Sequence, residues 1–190
     1  ATAAAGKVLP RRARVVIIGG GILGCSVAYH LGKLGWRDIV LLEQGQLTCG
    51  TTWHAAGLVG QLHGSHASTE FAKYTVELLN TIEAETGQDP GYRESGSISI
   101  ATNPERLAEL KRKADFASLF DIEAHYLSSE EIVRYWPLMN PEGVLGGIFM
   151  PRDGSANPID LTMALAKGAR QHEAQLLEGV QVQQVLVEGT

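Results

Sequence analysis

The sequence predicts an α/β protein in which a parallel-sheet domain, built on a βαβ unit, is interleaved with part of an α+β domain. Three observations carry this reading. The apolar run Val15-Val16-Ile17-Ile18 leads straight into Gly19-Gly20-Gly21, Leu23, Val27, Leu31 and Leu34 recur at helical spacing behind it, and a second apolar run follows at Ile39-Val40-Leu41-Leu42. Apolar runs without alternation are expected of central parallel strands covered on both faces, and the period of the intervening stretch is that of a helix. Gly35 stands where such a helix stops in a left-handed cap. The unit spans about 30 residues, and its crossover is expected to be right-handed.

The remaining elements follow from local signals. Gly45 to Ser68 is rich in glycine and small residues and too long for an ordinary connection, which marks it as functional or disordered. A helix is predicted over 69–86, with Phe71, Tyr74, Leu78 and Ile82 on one face and Gly87 at its stop. Ser97 to Ala101 alternates as a strand. Asn103-Pro104 supplies an N-cap and a proline at the first helical position, and the helix they open carries Leu107, Leu110 and Ala114 inward. Ser128 with Glu131 forms a capping box for a short helix ending before Pro137. Val144 to Met150 reads as a strand followed by the turn signal Asp153-Gly154. Asn157-Pro158 repeats the helix start, with Ile159, Met163, Ala166 and Ala169 as its apolar stripe. Gln175-Leu176-Leu177 and Val180 to Val187 read as strands. The expected organisation is a disordered lead-in over 1–13, an incomplete nucleotide-binding domain over 14–90 and 155–190, and part of a substrate domain over 91–154.

Composition sets the outer limits. With 190 residues, 44% hydrophobic and 19% charged, the chain has the make-up of an ordinary soluble domain. No apolar run approaches the roughly 20 residues of a membrane span, and a net charge of -5 argues against a nucleic-acid surface. Neither a membrane nor a nucleic acid is expected as a partner. The acid-free opening with Lys7, Arg11, Arg12 and Arg14 suits the stub of a targeting peptide and a solvated lead-in equally. Cys25 and Cys49 are too few for a disulfide scaffold and wrongly spaced for zinc, which points to a reducing compartment. Cys25, on a helix face, reads as a small core residue.

Gly19-x-Gly21-x-x-Gly24 lies between a predicted strand and a predicted helix, the context that gives this otherwise weak pattern its meaning. The first glycine makes the turn, the second admits a pyrophosphate to the backbone, and the third lets helix and strand pack closely. Phosphates would sit on amides at the helix start. Glu43 ends the second strand at the right distance to accept hydrogen bonds from a ribose diol, and its charge disfavours a 2'-phosphate. The fold is thus Rossmann-like. NAD and FAD are not separated by this fingerprint.

The segment Gly50-Thr51-Thr52-Trp53-His54-Ala55-Ala56-Gly57-Leu58 sets one bulky pair among residues small enough to admit a flat cofactor against the backbone. A histidine there can hydrogen-bond a cofactor or simply fill space, and Trp53 can flank a ring or pack in the core. His63 and His66 have no further ligands in view and read as exposed polar residues, not as a metal pair.

The fingerprint, Leu42-Glu43, Leu47 to Gly57 with its Thr-Thr-Trp-His-Ala-Ala-Gly run, Glu83-Ala84-Glu85-Thr86-Gly87, Gly96-Ser97-Ile98 and Asp153-Gly154 together resemble the dimethylglycine dehydrogenase and sarcosine dehydrogenase family, within the D-amino-acid-oxidase-like flavoproteins. The likeness runs from Arg14 onward, and because members are much longer, it is a likeness to their N-terminal part. It implies FAD as the cofactor, linked covalently through the ring nitrogen of His54. It further implies that Ile22, Leu23, Glu43, Gln44 and the stretch Gly50 to Leu58 line the FAD, with Val182 at the adenine end. The implied reaction is oxidative demethylation of dimethylglycine or sarcosine by hydride transfer from the N-methyl carbon to flavin N5. The one-carbon unit then passes to tetrahydrofolate in members with a folate domain, or leaves as formaldehyde. In mitochondrial members the electrons go to electron-transfer flavoprotein, so the implied location is the mitochondrial matrix in a eukaryote and the cytoplasm otherwise. No catalytic residue is assigned. Two other readings compete: a non-catalytic regulatory flavoprotein of the same family, whose members generally lack the Trp-His pair, and an NAD-binding dehydrogenase domain.

Overall fold

A computed structural model describes residues 2–3, by backbone alone, and 8–187. Of the lead-in expected over 1–13, residues 1 and 4–7 lie outside the described residues, and 8–13 have neither helix nor strand. Among the described residues ten strands and five α-helices follow in the order β1 (Thr2–Ala3), β2 (Val15–Ile18), α1 (Ile22–Lys33), β3 (Ile39–Glu43), β4 (Leu58–Val59), α2 (His66–Thr86), β5 (Ser97–Ala101), α3 (Pro104–Ala117), β6 (His125–Leu127), α4 (Ser129–Tyr135), β7 (Gly146–Met150), β8 (Gly154–Ser155), α5 (Pro158–Gln171), β9 (Gln175–Glu178) and β10 (Val180–Gln181). The chain divides into two compact units, one of residues 1–57, 79–92 and 156–190, the other of residues 58–78 and 93–155. The stretch 58–78, read from sequence as part of the nucleotide-binding domain, clusters with the second unit.

In the first unit β2, β3 and β9 form a parallel sheet in that order, with Ile17 opposite Leu41 and Leu41 opposite Leu176. β3 is the central strand and is buried along most of its length. β2 is at the edge, not at the centre as expected, and alternates: Val16 and Ile18 are 54% and 58% exposed, because helices cover only one of its faces. α1 and α5 pack on each other, and the face α1 buries is Cys25, Ala28, Tyr29 and Gly32, while Leu23, Val27 and Leu34 are exposed. The same correction applies to α5. Ile159 and Met163 lie at the surface, and Leu161, Thr162, Ala164, Leu165 and Gly168 accompany Ala166 and Ala169 inside. Close approach is the reason, since a Cβ on Gly168 would come within 2.6 Å of the Tyr29 ring and one on Gly32 within 2.5 Å of the His172 Cβ.

Both helices are punctuated as the sequence directs. Gly35 adopts φ +87° beyond α1, with its amide and that of Trp36 donating back to the carbonyls of Gly32 and Leu31. Asn157 caps α5 through its side chain, which accepts from the amides of Ile159 and Asp160. The Tyr29 hydroxyl donates to Glu85 of α2, and Lys33 donates to both. These bonds hold the Glu85 carboxyl below the ordinary carboxylate range, the Tyr29 bond contributing most. Val180 to Val187 does not form one strand: β10 pairs only with β1, antiparallel, and stops at Gln181, beyond which no residue has a strand partner among the described residues.

In the second unit β5, β7 and β6 make an antiparallel sheet in the order β5-β7-β6, backed by α3. Its core gathers Leu110, Ala114, Ala117, Phe120, Ile148 and Met150. α2 passes from the second unit into the first at Leu79; along its length Val76, Leu78, Leu79 and Ile82 are buried, but Phe71 and Tyr74, expected on that face, are exposed. Asn103 and Ser128 cap α3 and α4, the latter in a full capping box with Glu131. The Asp153 carboxylate accepts from the Gln61 amide at 2.9 Å and the Ser97 hydroxyl at 2.6 Å, and Gly154 enters β8 where a Cβ would strike the Arg93 carbonyl at 2.1 Å.

Candidate functional site

The glycine turn joins β2 to α1 at the mouth of a crevice of about 470 Å³. Each glycine has a separate structural reason. Gly19 takes φ +109°, a conformation other residues rarely adopt, with nothing within 4 Å of its missing Cβ. Gly24 lies so close to the turn that a Cβ would sit 2.0 Å from the Gly19 carbonyl oxygen and 3.3 Å from Ile17, which fixes the helix tightly on the strand. A Cβ on Gly21 would meet the Thr52 hydroxyl at 2.9 Å. Gly20, outside the fingerprint spacing, is equally constrained, because a Cβ there would strike Leu47 at 2.5 Å and Glu43 at 2.9 Å.

Glu43 holds this turn. Its side chain is 8% exposed, with one carboxylate oxygen accepting from the Gly20 amide at 2.7 Å and the other from the Gly45 amide at 2.8 Å. Burial of a carboxylate is tolerated here because both oxygens have donors. A carboxylate has acceptor sites beyond these two, so bonding to the turn leaves room for hydroxyl donors from the crevice.

The segment around His54, part of the stretch expected to be functional or disordered, is more ordered than its composition suggests. Thr48 takes φ +72° and donates its amide to the Gly20 carbonyl, and Thr51–His54 form a 3-10 turn closed by the Ala55 amide on the Thr52 carbonyl. The buried Thr52 hydroxyl accepts from the Ile22 amide at 3.0 Å. Gly21 as N-cap has no side chain to do this, and α1 has no acidic residue in its first turn.

Of the residues singled out from sequence, Gly19, Gly21, Ile22, Leu23, Gly24, Glu43, Gln44, Gly50, Thr51, Thr52 and Ala55 line the crevice together. Trp53, His54, Ala56, Gly57 and Val182 do not. Trp53 and His54 are exposed side by side, ring centroids 3.9 Å apart and planes tilted by 35°. The His54 ring is thus not packed in a core, and it sits in the same turn as Thr51 and Thr52, which face the crevice. Gly57 serves the backbone: at φ +71° its carbonyl accepts from the Ala156 amide, and a Cβ would lie 2.2 Å from the Ala156 oxygen. Leu58 belongs to the second unit, where it lines another cleft with Val59, His63 and Phe71. Val182 follows β10 and is half-buried.

Sequence reasoning missed Ile18 and Cys49 as lining residues. The apolar run predicts Ile18 to be covered on both sides, but it lies on the same exposed face of β2 as Val16. The Cys49 sulfur lies 3.7 Å from a Glu43 oxygen. Cys25, by contrast, is fully buried, and loss of solvation pushes its thiol up to about 11, so it stays protonated and inert at neutral pH. His63 is exposed and approaches the Gly60 carbonyl, and His66 opens α2 with its ring 5.1 Å from that of Phe120. Among the described residues no group of His, Cys, Asp or Glu could hold a metal, and no helix is long and apolar enough to cross a membrane.

The crevice suits an adenine dinucleotide. Gly19 and Gly50 have open space where a side chain would stand, a buried carboxylate lies at the strand end, and the helix start carries no acid to repel phosphate. Comparisons agree with that fit. The family model described as FAD dependent oxidoreductase matches residues 14–190. Mitochondrial dimethylglycine dehydrogenase of Rattus norvegicus is 44% identical over 161 residues, which is 85% of this chain and 19% of that protein. Mitochondrial sarcosine dehydrogenase of Homo sapiens is 41% identical over 93% of this chain and 19% of its own length. The mitochondrial pyruvate dehydrogenase phosphatase regulatory subunit of Mus musculus is 40% identical over 94% of this chain and 20% of its own length. This chain therefore spans about a fifth of the length of these curated relatives. Among solved structures, L-proline dehydrogenase from P. horikoshii superposes with a TM-score of 0.88 at 28% identity over 95% of this chain and 47% of that one.

Proposed function

Because the chain belongs to the FAD dependent oxidoreductase family, we propose that its glycine turn holds the adenine-nucleotide half of FAD and that His54 carries the flavin covalently, in a protein that oxidatively demethylates dimethylglycine or sarcosine. The observation that carries the reading is the junction of the glycine turn with the 3-10 turn of His54, made by the Ile22 amide on the Thr52 hydroxyl. Glu43 would accept the ribose hydroxyls, and the amides of Leu23 and Gly24, with no side-chain acceptor among the described residues, would take the pyrophosphate. When bound, FAD supplies the two-electron oxidation by accepting at N5 the hydride that leaves the N-methyl carbon. The protein's own part is to keep His54 accessible and the nucleotide end rigid, so that covalent attachment prevents cofactor loss.

The names of the two dehydrogenase relatives support the substrate class and, in a eukaryote, a mitochondrial location, proposed here as the matrix. Transfer of electrons to electron-transfer flavoprotein and of the one-carbon unit to tetrahydrofolate are proposed from the family resemblance alone. A second reading, a regulatory flavoprotein without turnover, has its support in the phosphatase regulatory subunit. The Trp53-His54 pair weighs against it. The family match removes the support for an NAD-binding domain.

Holoprotein precipitated with acid should stay yellow, and the tryptic peptide containing His54 should carry the mass of the flavin. Complete release of flavin into the acid supernatant would refute covalent attachment.

A further inference from the structure

The cap of α1 does not come from the residue that precedes the helix. Gly21 occupies the N-cap position and offers no side-chain acceptor, so the first-turn amide of Ile22 is satisfied from 30 residues away, by Thr52 Oγ1 at 3.0 Å. Thr52 is 8% exposed, and the missing side chain of Gly21 leaves the space its hydroxyl fills, since a Cβ there would lie 2.9 Å from Oγ1. The same residue closes the 3-10 turn through its carbonyl, which accepts from the Ala55 amide. One side chain therefore fixes two things at once: the start of the helix that receives the nucleotide and the turn that presents His54 two residues later.

We infer that Thr52 is the positioning residue for His54, acting as a helix cap from a distant segment of the same chain that pins the histidine turn to the start of α1. Its link to flavin attachment rests on the reading that His54 is the attachment point; its link to the turn does not. A hydroxyl is required, because the neighbouring Thr48 amide on the Gly20 carbonyl fixes the loop's entrance but not the turn itself. Serine retains the acceptor. Valine has the shape of threonine without it.

The test compares full-length holoprotein carrying Thr52→Val with Thr52→Ser and the parent. Two quantities are read: the fraction of bound flavin that resists acid, and amide hydrogen exchange in the peptides covering residues 20–24 and 50–57. Loss of a side-chain cap commonly costs about 1 kcal/mol, so Thr52→Val should exchange about fivefold faster in both peptides. It should also lose most of its acid-resistant flavin while still binding FAD, and Thr52→Ser should restore both. A general loss of stability would lower total flavin and leave the covalent fraction of what is bound unchanged. Unchanged exchange in Thr52→Val overturns the pinning, and faster exchange with an unchanged covalent fraction overturns the positioning of His54. Should the parent protein itself release all its flavin to acid, covalent attachment alone falls, and the exchange data still decide whether Thr52 pins the turn.

Discussion

α1 and α3 are both amphipathic helices packed on one face of a sheet, yet only one of them buries the residues its pattern announces. In α3 the leucine side is the inside: Leu110 is fully buried, Ala114 nearly so, and Leu107 packs against the same cluster. In α1 the leucine side is the outside, with Leu23 at 81% and Leu34 at 76% exposure, while Cys25, Ala28 and Gly32 are buried. The difference lies in distance. α3 rests on the β5-β7-β6 sheet through Leu107 and Leu110, where area buried decides the face. α1 meets α5 closely enough that, Tyr29 apart, small residues line the contact, and the Tyr29 ring itself fits only because Gly168 opposite it has no side chain, a Cβ there lying 2.6 Å from the ring. Hydrophobic periodicity marks the inner face only where there is room for large side chains.

The largest effect should come from the conventional core. Leu110→Ala removes a fully buried side chain from among Ala114, Ala117, Phe120 and Ile148, and the cavity left behind should cost about 2–5 kcal/mol. Chemical denaturation would register this as a lower midpoint with an unchanged slope. A cost under about 1 kcal/mol would mean that α3 repacks and that its contrast with α1 is not one of packing.

Next comes the close contact. Gly168→Ala adds one methyl group where the Tyr29 ring atoms would lie at 2.6 Å and 2.8 Å and the Thr86 methyl at 3.0 Å. The helix gains propensity from alanine, but overpacking should outweigh that gain and destabilise by about 1–3 kcal/mol. A rise in thermal midpoint would show that the two helices slide apart without cost and would remove close approach as the reason for the buried small face.

The same physics separates what could be read in the sequence from what could not. Capped helix starts were legible because they are local: Asn103-Pro104, Asn157-Pro158 and the Ser128/Glu131 box each act within a few residues, and each is present. The βαβ unit and its fingerprint were legible because turn, strand and helix adjoin in the chain. What stayed hidden depends on residues far apart. The edge position of β2 follows from a sheet order that places β3 between it and β9. Extending β10 to Val187 failed because alternation specifies a strand only when a partner exists. In the candidate site, the crevice-lining role of Glu43 was legible, but not its hold on Gly20 across 23 residues, nor that of Thr52 on Ile22 across 30. Gly57 looked like room for a cofactor and proves to be room for the Ala156 carbonyl.

The smallest expected effect tests the comparison from its other side. Leu34 belongs to the stripe that would have been the core of α1 had periodicity decided, and replacing a core leucine with serine would cost several kcal/mol through both lost burial and a stranded hydroxyl. At 76% exposure it has little area to lose, and its contribution to the helix end is through its backbone amide, which donates to the His30 carbonyl. Serine keeps that bond. Leu34→Ser should therefore change stability by no more than about 0.5 kcal/mol, the range of surface substitutions. A thermal midpoint lowered as far as by Gly168→Ala would mean that the leucine stripe is covered in the full-length protein by another part of the molecule, and that α1 is buried on two faces.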